Sequence, residues 1–424
     1  MQHKTKVLVV GTTADYIDWI RRVRPGRVLF MTDPVLRRKA EEPDPPPEEE
    51  FCCDLSDADA AHRALTEHLH HFGLSLEGIV AFDCESMELA AHFAHQFSLP
   101  YPTIQSVINC RDKHLSKTIW KHHGLFTPKA RRVHTPEEAE AFFTTLTGPC
   151  VLKPLSGSGS ELIFFCNSQA ECRQHFIEIA DGLRDRRNHP LYLGGSTLDA
   201  PPILLAEEFV EGTEYSCDFL LEGGVAIPIR LTRKILAGNG RPPGTAVGYH
   251  LTSDLPPGFD EAGFGRWLRS SAVALGFTRA ICMVDFIMTR GRVVLLEMAP
   301  RPGGDCLPFL LRRALGLDML AFAIDFARRQ PVSMNPVADS PDFLGLRVHA
   351  QKGGILKRID TSGLAGDGRV REVHLTRPPG HIIRMPPVDY DSWVIGHILF
   401  EPDPGAAVNV QCRQLLAKIV VEVE

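Results

Sequence analysis

Residues 151–160 read VLKPLSGSGS. Two apolar residues suited to a strand precede Lys153, and a short loop of small residues follows it. Gly157 and Gly159 carry no Cβ, so backbone N–H groups there can come close to a phosphate chain. Ser156 and Ser158 flank them, and Lys153 places a positive charge beside the same chain. Taken alone, the stretch reads equally well as a flexible hairpin turn with a surface lysine. It is not a P-loop, because the chain contains no G-K-[ST]. It is not the dinucleotide fingerprint either, since Gly11 has no glycine partner at the required spacing.

Two further segments carry chemistry downstream. Residues 205–218, LAEEFVEGTEYSCD, set Glu207, Glu208, Glu211 and Glu214 around the apolar pair Phe209-Val210. A strand running into a linker there can offer backbone groups to a base edge and carboxylates to an amino group and a ribose diol; the plainer reading is a solvated acidic edge strand. Residues 283–304, MVDFIMTRGRVVLLEMAPRPGG, put Asp285 in one apolar strand and Glu297 at the end of the next, with Thr289–Arg292 as the turn. Such a hairpin brings both acids to the same end of adjacent strands. Carboxylates there lose hydration and need a counter-charge, which a hard divalent cation supplies, or which Arg301 or Arg292 supplies structurally. Arg301, in PRPGG, is a fork for a carboxylate or phosphate.

These segments, in this order, resemble the ATP-grasp superfamily from about residue 100 to 305. The stretch LPYPTIQSVINCRDKHLSKTIWKHHGLFTPKARRV looks like that family's entry helix and following strand. The resemblance places Lys113 and Lys153 on the nucleotide phosphates. It puts Glu207 on the adenine amino group, main-chain atoms of Glu208 and Val210 on the base, and Glu214 on the ribose. Asp285 and Glu297 match the two magnesium carboxylates. There is a departure: the family's Glu-x-Asn is here Glu297-Met298-Ala299, without the amide ligand. The implied cofactors are ATP and Mg²⁺, with Mn²⁺ as the alternative metal. The implied chemistry is attack of a carboxylate on the γ-phosphate, giving an acyl phosphate that an amine then displaces. Arg301 matches an arginine that holds the substrate carboxylate or acyl phosphate. Lys234 and His250 lie in the segment that borders the substrate side, and each also reads as surface charge.

Outside this core, apolar runs at 6–10, 27–31 and 78–82 read as buried parallel strands, and 85–97 has helical spacing. Between them, residues 41–50 (EEPDPPPEEE) hold six acids and four prolines and read as an exposed, mobile loop. Thr135-Pro136-Glu137-Glu138 has the cap, proline and acids of a helix start. A strand, turn, strand pattern spans 150–165, helices are expected at 169–183 and 307–327, and short β runs at 345–349 and 394–399. The expected fold class is α/β and α+β. An N-terminal doubly wound parallel-sheet domain (1–108) precedes a two-lobed ATP-grasp region (109–330), and 331–424 completes the second lobe. The nucleotide would lie between the lobes, with the glycine loop as a mobile lid.

The composition fits an enzyme of this kind. The chain has 424 residues, about three domains' worth at roughly 150 residues each. It is 44% hydrophobic and 23% charged, which excludes wholesale disorder. Its net charge of −6 and lack of a basic block argue against nucleic acid as a partner. Eleven scattered cysteines without a C-x-x-C pair suit reduced thiols in a cytoplasm. No stretch reaches the roughly 20 apolar residues of a membrane span. Among subgroups, the EMAPRPGG run, the apolar helix after it and the tail look most like the amino-acid and dipeptide ligases. Small-molecule carboxylate and amine substrates follow, and a homodimer is allowed by the resemblance. Two other readings stand beside it: a purine-pathway ligase or carboxylase with a phosphate cradle at Gly11-Thr12-Thr13, and a nucleotide-binding regulator, which Ala299 keeps open. Cys306, beside the site, reads as a packed cysteine rather than a reactive thiol.

Overall fold

Lys4–Val10, Val28–Thr32, Glu50–Cys52 and Leu74–Val80 pair in parallel, with the first strand between the second and the fourth. The computed structural model describes residues 4–38, 40–157, 159–186, 192, 202–237, 245–332 and 341–424. Successive side chains of the first strand point to opposite faces. Leu8 and Val10 meet Leu65 of the helix Ala58–Phe72 and Phe93 of the helix Met87–Gln96. Val7 and Val9 meet Ile17 and Ile20 of the helix Ala14–Val23, together with Phe322 and Phe326 of Met319–Ala327. Helices thus cover both faces, as a doubly wound sheet requires. The acidic run at 41–50 departs from the expected mobile loop at its far end. Glu50 opens the third strand and lies 3.1 Å from Arg37, and Glu49 pairs with Arg21 at 2.8 Å.

A second, antiparallel sheet holds Ala130–Val133, Leu204–Glu208, Cys150–Pro154 and Phe164–Cys166, in that order. The helices Pro136–Phe143 and Gln169–Asp185 pack on it through Ala139, Phe142, Phe176 and Ile179. The first of these starts as expected, with the Glu138 N–H donating to Thr135 Oγ1 at 3.3 Å. Beyond the glycine-rich loop this lobe is fastened to the C-terminal portion. The Leu162 N–H donates to Pro387 O at 2.8 Å, and Arg186 Nη2 donates to Val388 O at 2.9 Å.

The largest sheet has eight strands, in the order Arg292–Ala299, Ala280–Thr289, Thr213–Glu222, Val225–Leu236, Ala246–Leu251, Phe343–His349, Val394–Phe400 and Val370–Leu375. Its last three strands come from beyond residue 330. One face buries Cys217, Phe219, Cys282, Val284 and Phe286 against Phe264 and Leu268 of the helix Glu261–Ala274. Alternation therefore sends Glu214, Ser216, Asp218 and Asp285 to the other face. The single helix expected at 307–327 is two, Leu307–Leu315 and Met319–Ala327. Gly316 adopts φ +66° and ends the first, and Asp318 Oδ1 caps the second by accepting from the Ala321 N–H at 2.9 Å. The eleven cysteines are free thiols. Among the described residues no helix is long and apolar enough to cross a membrane.

Candidate active site

Asp112 caps the helix Lys113–His122, accepting from the His114 and Leu115 N–H groups at 2.9 Å. The next turn puts Lys113 and Lys117 on one face, and both are buried. Lys113 Nζ donates to Gly157 O at 2.8 Å and stands 4.0 Å from Glu297 Oε2. Lys117 Nζ donates to Leu296 O at 2.8 Å and lies 3.0 Å from Glu207 Oε2. Lys153, on the strand Cys150–Pro154, donates to Glu207 Oε1 at 2.7 Å. Burial lowers the Lys113 ammonium, with Lys153 adding to the effect and Glu297 opposing it. Burial likewise brings Lys117 down to about 8, against the pull of Glu207. Three cationic side chains from two segments are therefore crowded together, and an anion is what relieves them.

The glycine-rich loop has the backbone that glycine permits, with φ +144° at Gly157 and +67° at Gly159. Ser156 is half-buried there, and Ser158 lies outside the described residues. Glu207, expected on an adenine amino group, has its carboxylate between Lys117 and Lys153. Burial acts to raise that carboxyl, but the two ammonium groups outweigh it and hold it below the usual range. Glu208 ends its strand, its N–H donating to Lys129 O at 2.8 Å. Val210 follows, half-buried, between the strands Leu204–Glu208 and Thr213–Glu222.

On the large sheet Asp285 stands directly opposite Glu297 across two antiparallel strands. Lys234 Nζ donates to Asp285 Oδ2 at 2.6 Å and to Glu214 Oε1 at 2.5 Å. Among the described residues Asp285 Oδ1 is buried without a hydrogen-bond partner, while the Glu297 side chain is 40% exposed. Burial works against the Lys234 charge, but Asp285 and Glu214 more than offset it and raise its pKa well above the ordinary value. Burial also raises the Glu214 carboxyl despite Lys234. Lys234, expected in the segment that borders the substrate side, meets these carboxylates through the pairing of its strand with Thr213–Glu222. His250 sits opposite Arg233, one position off the Lys234 row, so its ring leaves the polar face and bonds the Asp342 carboxylate.

Arg301 is aimed at the N-terminal domain. Its Nε and Nη2 both donate to Cys84 Sγ at 3.1 Å, and Nη1 donates to Pro302 O at 2.8 Å. Neither Asp285 nor Glu297 is its partner in an ion pair among the described residues. Beside Cys84, burial and the nearby Glu85 push the Asp83 carboxyl up to about 6, while Ser86 and Arg301 pull it down. A Cβ on Gly11 would fall 1.9 Å from Ser86 Oγ and 3.1 Å from Asp83 Oδ2. That turn is filled by a hydroxyl and lies beside an acid, which is a poor cradle for phosphate. Cys306 is fully buried, and burial holds its thiol well above the ordinary range, as a packed cysteine should be.

Three features escaped the sequence reading. Lys117 carried a signal, since it lies one helical turn past Lys113. Cys84, in the turn between the strand Leu74–Val80 and the helix Met87–Gln96, carried none. The ion pair Asp218–Arg230, with both side chains fully buried, looked like ordinary strand polarity. As a whole, the arrangement brings lysines, a glycine-rich backbone and two facing carboxylates close together. That set suits a polyphosphate with a divalent cation.

Comparison with known proteins agrees. Residues 146–308 match an ATP-grasp domain. Carnosine synthase 1 of Homo sapiens is 27% identical over 274 residues, covering 62% of this chain and 32% of the human protein. The D-alanine–D-alanine ligase of Verminephrobacter eiseniae is 28% identical over 204 residues, covering 45% of this chain and 55% of the ligase. The chain thus spans about a third to a half of the length of these relatives. An L-amino acid ligase from Bacillus licheniformis shares the fold over 100% of both chains, with a TM-score of 0.75 at 18% identity. Residues 146–308 thus carry the match to an ATP-grasp domain, and the chain is similar in sequence to carnosine synthase and D-alanine–D-alanine ligases and in fold to an L-amino acid ligase.

Proposed function

We propose that the protein is an ADP-forming carboxylate–amine ligase acting on amino acids. The observation that carries this is the meeting of Lys113 with Gly157 of the phosphate-binding loop and with Glu297 of the carboxylate pair. Those groups lie far apart in the chain and meet at Lys113. In this reading the loop backbone, Lys113 and Lys153 hold the phosphates of ATP, and main-chain atoms of Glu208 and Val210 receive the base. Glu214 holds the ribose, at which point Lys234 keeps its bond to Asp285. Arg301 gives up the Cys84 sulfur, a weak acceptor, for the substrate carboxylate.

The metal fits as well. Among the described residues Asp285 Oδ1 is a buried acceptor with no partner, and Glu297 faces it from the next strand. Among the described residues no group of three or more His, Cys, Asp or Glu could hold a metal unaided. Asp285 and Glu297 would hold Mg²⁺ or Mn²⁺, a hard cation that takes oxygen ligands. When bound, the ion neutralises charge on the transferring phosphoryl group. The substrate carboxylate attacks the γ-phosphorus and ADP leaves. The amine then attacks the acyl carbon, phosphate departs and the amide forms, with the amine proton lost to solvent.

The relatives support amino-acid substrates, since one is a D-alanine–D-alanine ligase and the shared fold is that of an L-amino acid ligase. The filled turn at Gly11 disfavours a phosphoribosyl amine. We place the reaction in the cytoplasm, where the free thiols suit a reducing milieu. Coupled ADP release across an amino-acid panel tests the proposal. Turnover with amino-acid pairs supports it; turnover with phosphoribosyl amines only, or nucleotide binding without turnover, overturns it.

A further inference from the structure

We infer that the buried ion pair Asp218–Arg230 is the positioning device for Arg301; this rests on the proposal that Arg301 holds the substrate carboxylate or acyl phosphate. Both side chains are 0% exposed. Arg230 Nε donates to Asp218 Oδ2 at 2.8 Å and Nη2 to Asp218 Oδ1 at 3.0 Å. Its remaining donors go to Ser216 O at 2.9 Å, Thr232 Oγ1 at 2.8 Å and Ser216 Oγ at 3.1 Å. A guanidinium has five N–H donors, so this one is saturated.

Asp218 Oδ1 has one bond more. It accepts the Gly303 N–H at 3.0 Å, and Gly303 lies two residues after Arg301. A Cβ on Gly303 would fall 2.5 Å from Arg230 Nη2, so only glycine lets the loop settle on the pair. From the other side, the Arg301 fork meets the Cys84 sulfur. The loop is thus held from beneath by a carboxylate and in front by a thiol.

Stability does not account for such a pair. Apolar residues of similar volume in place of a buried ion pair are often neutral or stabilising. Here the strands on either side already supply an apolar core, with Leu220 and Ile281 packed against Leu307. What an apolar pair cannot supply is a fixed acceptor for the Gly303 N–H. The pair also reaches Ser216, the cross-strand partner of Asp285, so one buried network joins the carboxylate strand to the arginine loop.

The test replaces the pair by Asp218→Leu with Arg230→Met. Two readouts are taken in the full-length protein: exchange of the Arg301 side-chain Nε–H by NMR, assigned by its loss in Arg301→Ala, and steady-state ligation. We expect a folded protein with Nε–H exchange faster by about tenfold or more, KM for the carboxylate substrate up by about tenfold, and KM for ATP within about twofold of the parent. Adding the two substitutions to Arg301→Ala should cost nothing further. Unchanged Nε–H exchange, or a loss that adds fully to that of Arg301→Ala, overturns the inference. Should the double variant not fold, Gly303→Ala lifts the loop while leaving the pair intact, and the same two outcomes decide. Faster exchange in a protein whose parent ligates no amino acids would refute the ligase reading and leave the positioning role standing.

Discussion

The Lys153 ammonium donates to Glu207 Oε1 at 2.7 Å while the Lys117 ammonium stands 3.0 Å from the other oxygen of the same carboxylate. One buried acid therefore has two cations, and losing either leaves it paired. This separates nucleotide binding from folding at Lys153.

Lys153→Ala should cost only about 1–2 kcal/mol of stability, below the roughly 3–5 kcal/mol typical of a stranded buried charge. ATP affinity should fall by about tenfold to a hundredfold, as loss of a charge-assisted phosphate contact does. Urea unfolding and calorimetric titration with ATP measure the two. Unchanged ATP affinity would take the loop out of the site.

Glu297→Gln keeps the size of a side chain that is 40% exposed and so leaves the fold untouched. It removes one of two facing carboxylates. ATP binding should remain measurable and ADP release should drop by about a hundredfold or more, since a lost metal carboxylate acts mainly on the charge in transfer. Near-normal turnover would refute the metal assignment.

Lys234 is the resident cation of Glu214 and Asp285. Lys234→Ala strands both acids and should destabilise the protein by about 3–5 kcal/mol. Millimolar Mg²⁺ should restore part of the melting temperature in the variant and change the parent much less. Equal Mg²⁺ responses would mean that the two acids do not form a cation site.

Asp83 sets a pH dependence. Its carboxyl is pushed up to about 6 by burial and Glu85, from an ordinary 3.8. The folded protein therefore keeps a proton that the unfolded chain has lost. Stability from this group is present below about 3.8, declines as pH rises to about 6 and is level above it, a loss of up to about 3 kcal/mol. Asp83→Asn keeps an oxygen for the Ser86 N–H and removes the titration. Unfolding free energies of the two proteins between pH 4 and 7 should diverge over that window, the variant holding its stability as the parent declines; parallel curves would contradict the assignment.

Much of the architecture could be read before any coordinates. Buried parallel strands are continuous apolar runs, so residues 6–10 and 27–31 announced the first sheet. Thr135-Pro136 marked a helix start through cap chemistry alone. The strand Val225–Leu236, VAIPIRLTRKIL, was not legible. Pro228 interrupts it, and Arg230, Arg233 and Lys234 make it look solvated, yet Arg230 is fully buried and Lys234 half-hidden among acids. Charges on a sheet face where acids and bases pair under cover break the rule that charge means surface. The same cause concealed the partners of Glu207 and Arg301: which cation meets which anion is set by register and by packing between lobes. Neither is written in local spacing. The split at Gly316 is the milder case, because an apolar pattern continues across a left-handed residue without a break.

Leu162 and Arg186 hang from the backbone carbonyls of Pro387 and Val388. Swinging the glycine-rich lobe outward to admit ATP would first unhook these two bonds. The tail is then a latch on a door whose keyhole it does not line. A backbone cut near residue 387 should loosen the door while leaving Lys113, Lys153 and Glu297 where they are.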